Sequence, residues 1–69
     1  MKQYCVAYIS FHSNELLQEI VWAGSEESAA RLSSFDLEYC FPNASTSLED
    51  AQCLAFDADC MFSVIEISP

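Results

Sequence analysis

Two β-rich runs, residues 3–11 and 16–23, stand on either side of the turn cluster His12-Ser13-Asn14, and this pairing constrains the fold more than any other feature of the chain. Strands joined by so short a connection pair as an antiparallel hairpin, because a parallel partner needs a crossover of a dozen residues or more. In the first run Tyr4, Val6 and Tyr8 alternate with Cys5, Ala7, Ile9 and Phe11. Both sides are apolar, as in a strand interior to a sheet. In the second, Leu16, Ile20 and Trp22 oppose Leu17, Glu19, Val21 and Ala23, and Trp22 is expected in the core.

An isolated hairpin is marginal in water, so the rest of the chain must supply a covering layer. Gly24-Ser25-Glu26-Glu27-Ser28-Ala29-Ala30 reads as a helix start at Ser25 or Glu26, with Ser25 capping free N–H groups and the glutamates complementing the positive end of the dipole. This helix is expected to run toward Phe41, where Pro42 pushes the preceding residue out of the α region. Ala30, Ser33, Leu37, Cys40 and Phe41 would face inward. A competing alternation of Phe35, Leu37, Tyr39 and Phe41 with Asp36, Glu38 and Cys40 leaves a short strand open for residues 35–41. Ser47 starts a second helix with Leu48, Ala51, Ala55 and Ala58 on one side, widened by Leu54 and Phe56 and ended by Asp57-Ala58-Asp59. Residues 61–67 form a last strand. The order β-β-α-α-β predicts an α+β fold, a three-stranded antiparallel sheet with one or two helices packed on one face.

With 69 residues the chain supports one core, and it is expected to form a single compact domain. A domain of this size buries only about 60% of the surface of its unfolded chain, so pairing with a second copy would widen a thin margin, and a homodimer is one expected arrangement. Eleven Asp and Glu face only Lys2 and Arg31, for a net charge of −9. Beyond Leu32 there is no Lys or Arg, while Asp36, Glu38, Glu49, Asp50, Asp57, Asp59 and Glu66 all fall there. Such a field repels phosphate backbones and anionic bilayers and draws in basic proteins, so neither direct nucleic-acid binding nor membrane binding is expected. The first residues lack a signal-peptide pattern, and a cytoplasmic location is expected. Cys5, Cys40, Cys53 and Cys60 then read as reduced, core-filling thiols.

Catalytic chemistry finds little material. His12, the only histidine, sits in the hairpin turn, and its neighbours Ser10 and Ser13 do not make a triad by being close in sequence. The cysteines and His12 match no zinc spacing, and Asp57-Ala58-Asp59-Cys60 lacks the glycine and glutamate of a calcium loop. No enzyme activity, cofactor or metal is expected.

The run Ile20-Val21-Trp22-Ala23-Gly24-Ser25-Glu26-Glu27-Ser28-Ala29, with a final strand at residues 62–67, resembles a theme of tiny phage proteins. In size, acidity and strand–helix order the chain resembles phage-encoded inhibitors of host machinery, such as anti-CRISPR proteins and the small phage inhibitor of bacterial RNA polymerase. The resemblance implies an inhibitor that occupies a basic nucleic-acid groove of a host protein or nucleoprotein complex, with carboxylates standing where phosphates would lie. No individual residue carries over from it. The candidate protein-binding residues are the acidic pairs Asp36 and Glu38, Glu49 and Asp50, and Asp57 and Asp59. The alternative is an acidic adaptor or regulatory subunit that binds a protein without mimicking DNA.

Overall fold

The computed structural model describes residues 1–67. Strand β1 (Lys2–Ser10) and strand β2 (Glu15–Ala23) form the expected hairpin, in register from Lys2 opposite Ala23 to Ser10 opposite Glu15. Asn14 closes the turn at φ 54°, a left-handed position that Asn tolerates. Strand β3 (Cys60–Glu66) pairs antiparallel along the other edge of β1, so the sheet order is β2-β1-β3 and the strand that is apolar on both sides is the central one.

Helix α1 (Glu26–Leu32) follows β2, and helix α2 (Leu48–Asp57) precedes β3. Ser25 caps α1 by accepting the Ser28 N–H at 3.2 Å, and Ser47 caps α2 by accepting the Asp50 N–H at 3.1 Å. Caps of this kind are each worth about 1 kcal/mol. Both helices cover one side of the sheet. Ala29, Ala30, Ala51 and Ala55 are fully buried there against Tyr4, Val6, Val21, Phe62 and Val64. Alanine contacts let the helices lie close to the strands, and the Cα framework is only 16 Å along its shortest axis. Among the described residues, no helix is long and apolar enough to cross a membrane.

The first helix does not run to Phe41. It stops at Leu32, because the groups that would prolong it find other partners. The Ser33 hydroxyl donates to the Ala30 carbonyl at 2.8 Å, and the Ser34 N–H donates to the Glu19 carboxylate of β2 at 2.7 Å. Phe35 then stacks on Tyr8 with centroids 5.4 Å apart, and Asp36 turns the chain at φ 57°. Residues 35–41 are therefore neither a helix extension nor a strand: a turn leads into a short 3₁₀ helix at Glu38–Cys40. Leu37 and Cys40 are still buried, as expected of the inward face, but a folded loop carries them.

Arg31 fastens the following loop, donating to the carbonyls of Asn43 and Ala44 with its guanidinium 4.8 Å from the centre of the Phe41 ring. The other side of the sheet is bare. Its register sets Ile20, Cys5 and Ile65 in one row and Leu16, Ile9 and Met61 in another. Trp22 lies opposite Gln3 at one end, 60% exposed rather than in the core.

Candidate functional site: an acidic helical layer with an aromatic corner

Side chains alternate across a strand, so each strand residue belongs to one side of the sheet. Lys2, Glu15, Glu19 and Glu66 are the charged residues of the three strands, and all four share the side of Val6, Val21 and Val64, which face the helices. The other acidic residues lie in the helices or their connections. Among the described residues the bare sheet side therefore carries no charged side chain, and the acidic side chains are concentrated on the helical layer and its margins. Both long-chain cations are engaged within the fold: Lys2 pairs with Glu66 at 3.5 Å, and Arg31 holds the loop at residues 41–44.

The six candidate carboxylates are all exposed and do not converge. Glu49 and Asp50 lie in the first turn of α2 and Asp57 in its last, seven to eight residues on, so the helix separates them by about 11–12 Å along its axis. Glu38 opens the 3₁₀ helix that packs beside α2. No group of three His, Cys, Asp or Glu able to hold a metal ion occurs among the described residues.

Local structure accounts for five of the six. Glu49 and Asp50 complement the dipole at the start of α2, and Glu38 does the same for the 3₁₀ turn. Asp36 and Asp59 occupy left-handed positions at φ 57° and 61°, where Asp is among the few side chains accommodated. Asp59 also places Oδ2 3.5 Å from Nε2 of His12, an ion pair when the imidazole is protonated. The pair Asp57 and Asp59 therefore divides: Asp59 has a backbone reason for its identity. Asp57 has none, and it sits at the negative end of the α2 dipole with no basic residue in that turn.

Next to Asp57 in sequence, Phe56 is 60% exposed and meets Phe11 of the hairpin turn edge-on, with centroids 5.9 Å apart. The Phe11 N–H donates to the Asp59 carbonyl at 2.9 Å, which ties the hairpin tip to the end of α2. Two exposed aromatic rings flanked by carboxylates form a corner with the composition of a protein-binding hot spot, an apolar anchor inside a charged rim. Phe56 was expected only to widen the buried face of α2. It is the next residue after Ala55 and therefore roughly 100° further around the helix, on the flank.

The Tyr39 phenol and the Cys60 thiol are paired with one another or with backbone. Tyr39 and Cys60 share a hydrogen bond at 2.8 Å, and the Cys60 thiol donates to the Ala55 carbonyl at 3.3 Å. Burial pushes the Cys40 thiol and the Tyr8 phenol up from their ordinary pKa values, and burial and the bond to Cys60 raise Tyr39 well above its own. A thiol held protonated is a poor nucleophile. All four cysteines are free, but only Cys40 and Cys60 are buried: Cys53 is exposed on α2, and Cys5 is half-buried on the bare sheet side. A groove of about 560 Å³ is lined by Arg31, Glu38, Phe41 and Asn43, and its one cation is already committed to the loop beneath it. No known protein family, curated protein or solved structure matches the chain.

Proposed function

We propose that the chain is a protein-binding inhibitor of the anti-CRISPR type. On this reading its acidic helical layer occupies a basic nucleic-acid groove of a phage host's protein or nucleoprotein complex in the cytoplasm. The supporting observation is the segregation of charge: among the described residues no carboxylate side chain lies on the bare sheet side, and the exposed ones lie on the helices, their connections and the helix-facing side of β2 and β3. Asp57 adds to this, since its charge opposes the helix dipole that it sits on. The reaction is association alone, without substrate or cofactor. Carboxylates steer the approach, and Phe11 and Phe56 supply the desolvated contact.

The second reading is an acidic adaptor that binds a basic protein without mimicking nucleic acid. The Phe11–Phe56 pair favours it, because exposed rings reproduce nothing in a phosphate backbone. Capture of partners from a host lysate separates the two. The inhibitor reading predicts a nucleic-acid-binding protein that is retained at about 0.1 M salt and released near 1 M, as the screening length falls from about 10 Å to 3 Å. Added nucleic acid should displace the chain from it. Displacement by salt but not by nucleic acid would select the adaptor. Undiminished retention by a chain with the six carboxylates changed to Asn or Gln would refute both.

A further inference from the structure

The sheet side turned away from the helices carries no acidic side chain among the described residues, and a cluster of exposed apolar side chains lies there. Leu16, Ile20, Trp22, Met61 and Ile65 are each at least half exposed there. Monomeric proteins rarely leave apolar patches of more than a few hundred Å² uncovered. We infer that this face is the interface of a homodimer, in which two sheets pack face to face with their helices outward.

Area, charge and relief all favour a second copy as the occupant. From the strand and residue spacings the face measures roughly 14 by 26 Å in plan. With the relief of its protruding side chains, its accessible area reaches the order of the ~800 Å² that each partner of a standard interface buries. The face has no charged residue to receive a basic protein or a phosphate backbone. A second copy brings the same uncharged surface. Stacked sheets lie about 10 Å apart. With the helices beyond them, the helical carboxylates of two copies lie on opposite outer faces, so distance weakens their repulsion without abolishing it. On the central strand Cys5 lies low between Ile20 and Ile65, and Ala7 lies low between Gln18 and Ser63, which gives a short trough walled at one end by the two isoleucines. Around a two-fold axis set to one side of the trough, one of these isoleucines from each copy enters the trough of the other, the interdigitation found between the inner faces of β-sandwiches.

This inference stands on the sheet alone and does not depend on which partner the acidic layer takes. Trp22 is the only tryptophan and lies on the face, so its emission reports burial directly. Sedimentation equilibrium of the full chain should show the 7.7 kDa chain doubling in mass at micromolar concentration, with Trp22 emission moving to the blue in step. Ile20→Lys and Ile65→Lys place a charge in the middle row and should each weaken association at least about 100-fold, while circular dichroism stays that of the wild type. Ile65→Ser reads the same contact if a lysine variant fails to fold, and Glu49→Gln on the helical layer should leave the dimer unchanged. A chain that stays monomeric at about 100 µM with the emission of a solvated indole would overturn the inference. So would a dimer indifferent to both lysine variants, or a monomer whose Trp22 shifts only when phosphatidylcholine vesicles are added.

Discussion

Tyr39 and Cys40 show how individual residues set the pH range of the fold. The Tyr39 hydroxyl and Cys60 thiol share one hydrogen bond, and Cys60 passes a second to Ala55, so the half-exposed Tyr39 ring has its hydroxyl tied to the buried Cys60, and desolvation and this bond favour the neutral phenol. Groups whose pKa is raised on folding stabilise the protein fully below their unfolded values, about 8.5 for a thiol and 10 for a phenol, and that stabilisation is lost as pH rises beyond them. The melting temperature should therefore fall as pH is raised from about 8.5 to 11, and Tyr39→Phe should flatten the part of the fall above pH 10. Equal slopes for the two proteins would contradict the assignment. Tyr39→Phe should also cost about 1 kcal/mol near neutral pH through the lost hydrogen bond. Asp57 and Asp59 provide a second comparison at this scale. Asp57→Asn removes an unfavourable charge from a helix end and should stabilise by about 0.3–1 kcal/mol while weakening partner binding. Asp59→Val forces a β-branched residue into a left-handed position and should destabilise by about 1–2 kcal/mol. Urea denaturation of the two variants measures both, and a stabilising Asp59→Val would remove the backbone explanation for that residue.

Among the elements, the segment after α1 departs furthest from the pattern of its sequence. Leu37 and Cys40 are spaced for an inward helical face, and both are buried, but the chain reaches them through a turn and a 3₁₀ helix. Local periodicity records which residues go inside. It does not record that Glu19, in sequence a polar strand position, would take the Ser34 N–H at 2.7 Å and stop the helix. The hairpin, both serine caps and the last strand depend on near neighbours and are legible for that reason. Trp22 and Phe56 were not, because an apolar residue reads the same whether its side of an element is covered or bare. The candidate carboxylates were legible as an excess of charge, but their separation from one sheet side depends on strand parity and register together. Two variants test the segment. Glu19→Ala should cost about 1 kcal/mol, the worth of an exposed hydrogen bond to a charged group after solvent screening. Leu37→Ala empties a buried site and should cost about 2–5 kcal/mol. Denaturant midpoints with unchanged slopes would read both as stability effects, whereas a neutral Leu37→Ala would mean that this loop does not help to close the core.

For the whole molecule, the two sides of the sheet imply two kinds of contact with opposite responses to salt. The acidic layer attracts basic partners through charge, so its complexes weaken as salt is added. The bare sheet side associates through apolar area while two chains of net charge −9 repel each other, so screening removes an opposing force and leaves the attraction intact. The dissociation constant of the homodimer, measured by sedimentation equilibrium at about 0.1 M and 1 M sodium chloride, tests this division most directly. The account predicts a tighter dimer at the higher salt, with Trp22 emission further to the blue. A dimer that loosens as salt rises would place charged groups at the contact and contradict it.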